Sequence, residues 1–156
     1  MTNPLLSDWA DPFQMPPFDA ISDDDFEPAF EAALTDARSR VDAIASDPAP
    51  ADFANTIEAL EQADAQLGRV LSVFYALAGA DANPQREALM REFSPKLAAY
   101  SSEITMNAAL FARIEVLWSQ RETLELTEEQ ARVLMLTRRG FVRSGAQLTG
   151  AARDRM

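Results

Sequence analysis

Apolar residues recur every three or four positions through most of this chain, and that spacing limits the fold more than any other feature of the sequence. The first series follows Ser22 and contains Phe26, Phe30, Leu34 and Val41. One face of an α-helix repeats at this interval, whereas a half-buried strand would alternate at every second residue. The pattern predicts an all-α fold, a multi-helix antiparallel bundle, with helices at about 23–46, 55–79, 84–105, 108–121 and 128–145.

Each predicted helix begins at a residue whose side chain can accept a hydrogen bond from the first turn. In a capping box, this residue is joined to a second polar side chain three positions later. Pro84 follows its cap at the first helical position, where proline is favoured. Gly140 and Gly145 place the end of the last complete helix near residue 145. The predicted caps are Ser22 with Asp25, Asn55 with Glu58, Asn83, Asn107, and Thr127 with Gln130.

The acidic triplet Asp23–Asp25 has two interpretations, a metal site and the first turn of a helix. A calcium loop needs a glycine turn and a distal bidentate glutamate, and neither follows the triplet. Anionic side chains are stabilised in the first turn by the partial positive charge at the helix N-terminus. The sequence therefore favours an ordinary helix start.

Residues 1–21 differ from the rest of the chain because they contain four prolines, which block regular helix and strand. Large apolar side chains are interleaved with these prolines, among them Trp9, Phe13 and Phe18. A flexible tail would not carry so many of them. We therefore predict an extended N-terminal arm at 1–21 that packs its aromatic residues onto something, followed by a helical domain at 22–148.

Charge excludes two classes of partner. Fourteen basic residues against 25 acidic ones give the chain a net charge of −11, which repels phosphate backbones and anionic lipid. No signal-like leader opens the chain, and no apolar run approaches about 18 residues. Cysteine is absent, which is typical of a cytoplasmic protein. We expect no nucleic-acid partner, no membrane partner and a cytoplasmic location.

Histidine is absent as well, and this restricts the chemistry of the chain. Without imidazole or thiolate there is no zinc site of the usual kind and no Ser-His or Cys-His pair. Any catalysis would rest on carboxylates, hydroxyls, Lys96 or arginines, as in a two-carboxylate glycosidase. No carboxylate pair stands out from an acidic surface, so this carboxylate-only enzyme is the least favoured interpretation. We predict no catalytic, cofactor-binding or metal-binding residue in the chain.

Arg138, Arg139 and Arg143 form a small basic cluster in an acidic chain. They could face a peptide carboxylate or a partner domain. Alternatively, they form a solvated helix end or pair with Glu128 and Glu129, as such clusters more often do. Further along, Thr149 looks like the cap of another helix that has only its first turn and a half before Met156. A helix this short is unstable alone, so we expect 149–156 to be the start of a truncated helix.

Several linked segments resemble one known protein family. They are "NPLL", "PFQMPPFDAISDDDFEPAFEAAL", "DFANTIEALEQ", "LGRVLSVFYALAGADAN", "MNAALFARIEVLW" and "RRGFVRSGAQL", in this order. Their order and spacing resemble the N-terminal region of the thimet-oligopeptidase family of zinc metallopeptidases, and in particular its bacterial peptidyl-dipeptidase branch. The resemblance extends from about residue 3 to the end of the chain.

The resemblance implies a function that the chain cannot perform alone. In this family the two histidines of a His-Glu-x-x-His motif bind zinc, and the glutamate between them activates water. A further glutamate completes the site. That motif lies far downstream of the matched region, and the N-terminal helices form a wall of the cleft that admits only short peptides. We therefore expect a non-catalytic helical domain whose partners are a C-terminal catalytic domain of the same chain, which holds the zinc, and short peptide substrates.

Two questions stay open at this point. Trp9, Phe13 and Phe18 could pack partly on the missing catalytic half, or they could simply cover the helical bundle. In the first case the isolated chain exposes an apolar patch and is expected to form homodimers through it. The chain as a whole could also be a free-standing helical interaction module that binds partners in a groove between amphipathic helices.

Overall fold

The computed structural model describes residues 3–9, 13 and 15–147, and these contain helices and turns but no strand. The predicted all-α class is confirmed. The predicted truncated helix at 149–156 lies outside the described residues. Where the chain is described, no helix combines the length and the apolar character that crossing a membrane requires. The helices are α1 Phe26–Ser46, α2 Ala59–Ala63, α3 Ala65–Ala80, α4 Pro84–Thr105, α5 Ala108–Gln120 and α6 Glu128–Arg143.

The chain divides into two compact units, and both α1 and α4 pass from one into the other. Unit 1 consists of residues 1–39 and 63–96, and unit 2 consists of residues 40–62 and 97–156. Unit 1 has an aromatic core in which the rings of Phe30 and Phe93 stack with centroids 3.9 Å apart. The ring of Phe74 packs against Phe26 at 5.2 Å and against Phe93 at 5.1 Å. The apolar stripes of α1, α3 and α4 thus supply the core of this unit.

Unit 2 has its own core, built mainly where α5 packs against α6. Leu110, Ile114, Leu117 and Leu134 are fully buried. The Thr127 hydroxyl accepts a hydrogen bond from the Gln130 backbone N–H at 3.2 Å, and the Gln130 side chain accepts one from the Thr127 N–H at 3.0 Å. This is the predicted capping box, and it starts α6.

Helix ends follow local chemistry in three further places. The Asn107 side chain accepts from the Leu110 N–H at 3.0 Å, and the Asn83 side chain accepts from the Arg86 N–H at 2.8 Å, as predicted. After α6, Gly145 has a φ of 86°. The N–H groups of Gly145 and Ala146 donate to the carbonyls of Val142 and Phe141, which is the hydrogen-bond pattern of a Schellman C-cap.

The predicted second helix is wrong in its start and in its continuity. Asp52, not Asn55, is the cap: its carboxylate accepts from the Asn55 N–H at 2.7 Å, and the Asn55 side chain accepts from the Asp52 N–H at 2.9 Å. A π-helical turn at Phe53–Glu58 follows before α2 begins. The backbone then leaves helical geometry at Asp64, where φ is −108° and ψ is 15°, and α3 begins one residue later. Aspartate is a weak helix former, which favours a break at that position.

The N-terminal segment is not the simple extended arm that the prolines predicted. Residues 4–6 form a turn, in which the Leu6 N–H donates to the Asn3 carbonyl at 3.1 Å. The Asn3 side chain donates to the Asp25 carbonyl at 2.8 Å, and Leu5 is fully buried in unit 1. A 3₁₀ turn at Phe18–Ala20 then leads toward α1. Burial of Leu5 and the hydrogen bonds of Asn3 fold the segment back onto the helices.

Candidate functional site

The acidic triplet is engaged in structural contacts of unit 1. The Asp23 carboxylate accepts from the Arg86 Nε and from the Asn83 side chain, both at 2.7 Å. The Asp24 carboxylate accepts from the Gln85 side chain at 2.7 Å. Asp25 closes the turn before α1 by accepting from the Ser22 N–H at 2.8 Å and from its hydroxyl at 2.7 Å. The first two carboxylates therefore tie the start of α1 to the start of α4, and the third caps the local turn.

Arg86 is the centre of this junction. Its guanidinium also donates to the carbonyl of Leu77 at 3.4 Å, to the carbonyl of Asp81, and to the Asp81 carboxylate at 3.2 Å. The hydrogen bond to Asp23 raises the pKa of Arg86 further above its usual value. The guanidinium is charged at every relevant pH, so the arrangement joins helices rather than transferring protons.

Lys96, the single lysine of the chain, lies between two carboxylates in unit 1. Its ammonium donates to the Glu31 carboxylate and to the Glu92 carboxylate, the latter at 2.7 Å. The hydrogen bond to Glu31, followed by that to Glu92, raises the pKa of Lys96 above its usual value. A nucleophilic or basic lysine needs a lowered pKa, so this geometry opposes a catalytic role for Lys96.

The three aromatic residues that were considered for inter-domain contacts, Trp9, Phe13 and Phe18, lie in different surroundings. The Trp9 indole N–H donates to the Pro4 carbonyl at 2.9 Å, and the Arg69 guanidinium carbon lies 4.8 Å from the centroid of its ring. Trp9 is therefore held within unit 1. In contrast, Phe13 is 85% exposed and Phe18 is 43% exposed. An apolar surface is available at these two residues, whereas Trp9 belongs to the local packing.

The three arginines of the cluster also lie in different surroundings. Arg138 pairs with Glu115 on α5, with 2.5 Å between Nε and the carboxylate, and its guanidinium carbon lies 4.9 Å from the centroid of the Trp118 ring. Arg139 and Arg143 are exposed on α6. The expected alternative pairing with Glu128 and Glu129 is wrong for Arg138, because the side chain crosses to the neighbouring helix instead.

Sequence reasoning missed Arg113, the buried arginine of unit 2. Its guanidinium donates to the carbonyls of Asp47 and Ala49 at 2.8 and 3.0 Å, and to the Asn55 side chain at 2.8 Å. Only 9% of its surface is exposed. The signal was present in the sequence, because position 113 lies three residues after Leu110 on the apolar face of α5. Arg113 fixes the proline-containing loop at 47–52 onto α5.

One open groove of unit 2 lies beside α5 and α6, with a volume of about 400 Å³. Its lining is mostly apolar and includes Leu134 and Met135 from α6. Two arginines and one glutamate complete it. The lining residues are Trp118, Arg121, Glu128, Ala131, Arg132, Leu134 and Met135.

The residues of this chain do not fit a catalytic zinc ion. The chain has no histidine and no cysteine, and the described part contains no group of three or more acidic residues arranged to hold a metal. The carboxylates of the acidic triplet already accept hydrogen bonds from neighbouring side chains. No step of metal chemistry is therefore assigned to these residues.

Comparison with known proteins gives high similarity to bacterial peptidases. The chain is 43% identical over 155 residues to a dipeptidyl carboxypeptidase of Salmonella typhimurium and 38% identical over 154 residues to one of Escherichia coli. Both alignments cover 99% of this chain and 23% of the relative, so the chain spans about a quarter of their length. An oligopeptidase A of Salmonella typhimurium is 32% identical over 111 residues, which are 71% of this chain and 16% of that protein.

No protein-family model matches the chain. The alignments to the two dipeptidyl carboxypeptidases run through nearly all of the sequence, and their identities exceed that to the oligopeptidase. The chain belongs to the thimet-oligopeptidase family of peptidases.

Proposed function

We propose that this chain is the N-terminal helical part of a zinc-dependent peptidyl-dipeptidase and forms a wall of its substrate cleft. The observation that carries the proposal is the alignment itself. It matches 99% of this chain at 43% identity, yet only 23% of a dipeptidyl carboxypeptidase. The reaction then belongs to residues outside this chain, and these residues supply structure around it.

The packing supports a structural role. Each unit has a buried apolar core, and its polar side chains join elements to one another, as Arg86 and Arg113 do. A wall that limits access must keep its shape, and close-packed helices joined by hydrogen bonds resist deformation. The exposed Phe13 and Phe18 offer the remainder of the parent chain an apolar surface.

The proposal includes the partners and the cofactor of the parent enzyme. A catalytic domain of the same chain would hold zinc through a His-Glu-x-x-His motif, in which the glutamate activates water for attack on the peptide bond. Short peptides would be the substrates, and a cytoplasmic location agrees with the cysteine-free composition. The 156 residues alone would bind no catalytic zinc and cleave no peptide.

A chimera tests this role. The segment of the Salmonella typhimurium dipeptidyl carboxypeptidase that aligns with this chain is replaced by this chain, and release of dipeptides from a short labelled peptide is measured. We expect the chimera to cleave the short peptide and to leave a folded protein of 100 residues or more intact. The isolated chain, measured alongside with and without added zinc, should cleave neither.

Two controls make the result specific. A chimera with its metal-motif glutamate replaced by glutamine should be inactive, and one carrying an unrelated helical segment of equal length should lose activity or folding. The role as a selective wall is wrong if the first chimera is monodisperse and zinc-loaded but fails to cleave the short peptide. It is also wrong if that chimera cleaves the folded protein as readily as the peptide.

A further inference from the structure

The groove beside α5 and α6 combines an apolar floor with arginine side chains at its edge. Leu134 is fully buried beneath the groove, and Met135 is half-buried. Arg121 and Arg132 are exposed, and Glu128 is the one carboxylate among the lining residues. Two arginines stand against one glutamate in the lining, and the pairing of Arg121 with Glu122 leaves this edge about neutral, on a chain whose total is −11. An anion is therefore repelled less at this edge than elsewhere on this acidic chain.

Two arginines hold the aromatic wall of the groove. The guanidinium carbons of Arg121 and Arg138 lie 4.5 and 4.9 Å from the centroid of the Trp118 ring. Arg121 also donates to the Trp118 carbonyl at 2.8 Å, and Arg138 is fixed by Glu115. The two guanidinium groups, held by these hydrogen bonds, contact the indole ring and restrict its movement. The wall is thus preformed, which lowers the entropy lost when a ligand binds.

Arg132 differs from the other two arginines. Within the part of the chain that the structure describes, its guanidinium has no hydrogen bond and no ion pair, although Arg121 contacts Glu122 and Arg138 contacts Glu115. It is exposed at the groove and presents a planar set of donors that matches a carboxylate in a bidentate manner. A ligand for this groove therefore needs one carboxylate and one apolar group.

We propose that this groove binds the C-terminal residue of a peptide, with an apolar side chain against Trp118 and Met135 and the free carboxylate on Arg132. The volume of about 400 Å³ accommodates one such residue with part of the preceding one. A nucleic acid would meet repulsion from the rest of the chain, whereas a single carboxylate meets mainly the local charge. This binding requires no catalysis, so it can fail while the proposed function holds, and the reverse is also true.

Titration of the 156-residue chain with N-acetyl-L-leucine tests the site. A Trp9→Phe background leaves Trp118 as the only tryptophan, so its fluorescence reports on the groove. We expect saturable binding with a Kd in roughly the millimolar range for so small a ligand. N-acetyl-L-leucinamide lacks the charge and N-acetylglycine lacks the apolar side chain, and each should bind at least about fivefold more weakly.

Matched variants connect the binding to the arginine. Arg132→Gln should weaken N-acetyl-L-leucine at least about fivefold, while Arg91→Gln, an exposed arginine of α4, should leave the Kd within about twofold. Far-UV circular dichroism of both variants should match that of the parent chain, because both side chains are exposed. Equal binding of acid and amide, equal binding of the leucine and glycine ligands, an unchanged Kd in Arg132→Gln, or no saturable signal would each overturn the proposal.

Discussion

Replacing Arg113 with methionine should destabilise unit 2 far more than removal of a typical arginine. Methionine keeps the apolar stem but removes three short hydrogen bonds of 2.8, 3.0 and 2.8 Å and a weaker contact of 3.4 Å with the Asp47 carboxylate. Bonds from a charged donor contribute up to about 3 kcal/mol each, but the acceptor residues Asp47, Ala49 and Asn55 are at least partly exposed and can regain water, so about 1 kcal/mol for each short bond is appropriate. We expect the free energy of unfolding to fall by about 3 kcal/mol.

Urea denaturation measures this loss. In a Trp9→Phe background the Trp118 fluorescence reports on unit 2, and with a slope of about 2 kcal/mol per M the midpoint should fall by about 1.5 M. The control Arg91→Met removes a side chain that is 72% exposed and should change stability by less than about 0.5 kcal/mol. Arg113→Lys keeps the charge without the planar donors and should recover less than half of the loss. A loss below about 1 kcal/mol for Arg113→Met would refute the reasoning.

Three further predictions concern unit 1 and the N-terminal segment. Asp23→Ala leaves the half-buried Arg86, at the junction of α1 and α4, without its nearest carboxylate, so the free energy of unfolding measured in urea should fall by about 2 kcal/mol. The control Asp24→Ala removes an exposed carboxylate and should lower it by less than about 1 kcal/mol. Equal losses would contradict this account. Because the pKa of Lys96 is raised, its contribution to stability is fully present below about pH 10.4 and is lost as the pH rises through the higher folded pKa. The stability difference between the parent chain and a Lys96→Met variant should therefore be constant from pH 7 to 10 and shrink above it, and a difference that already shrinks below pH 9 would contradict the raised pKa. If the exposed aromatic side chains make the isolated chain self-associate, the double variant Phe13→Ser and Phe18→Ser should have a lower dimer fraction than the parent chain. Sedimentation velocity at equal protein concentration measures this fraction. An unchanged dimer fraction would assign the contact to another surface.

Local signals in the sequence predicted the helices well where one side chain decides the outcome. Thr127 and Asn107 are caps in the structure, and each side chain accepts from the backbone N–H three residues later, as the local sequence predicts. Gly145 ends α6 because its φ of 86° is unfavourable for other residues. The fold class could also be predicted from the spacing of the apolar residues, because the period of a helix is set by its own backbone.

The sequence was a poorer guide where two residues compete or where a partner is distant along the chain. Asp52 and Asn55 are both good caps, and Asn55 also accepts a hydrogen bond from Arg113, so the reciprocal pair forms one turn earlier than predicted. Arg138 finds Glu115, which is 23 positions away in the chain and unrelated to it by any helical spacing. Such contacts depend on how helices pack, and a periodicity argument contains no information about them.

The candidate groove was predicted least well for the same reason. Trp118 lies four residues after Ile114, at the spacing of an apolar stripe, and nothing in the local sequence shows that Arg121 and Arg138 both contact its ring. The basic cluster at 138–143 was singled out from the sequence, and its members have different surroundings in the structure. The arginine that lines the groove without a partner in the described part of the chain is Arg132, which sequence reasoning did not select.

The coding sequence beyond the codon for Met156 tests the central claim most directly. If these residues form the wall of a peptidase cleft, the reading frame continues for several hundred codons and encodes a His-Glu-x-x-His motif, and the protein isolated from its source has the corresponding mass. A stop codon immediately after Met156, together with an isolated protein of 17.2 kDa, would contradict the account. The chain would then be a helical binding module that shares its sequence with peptidases but has no catalytic domain to enclose.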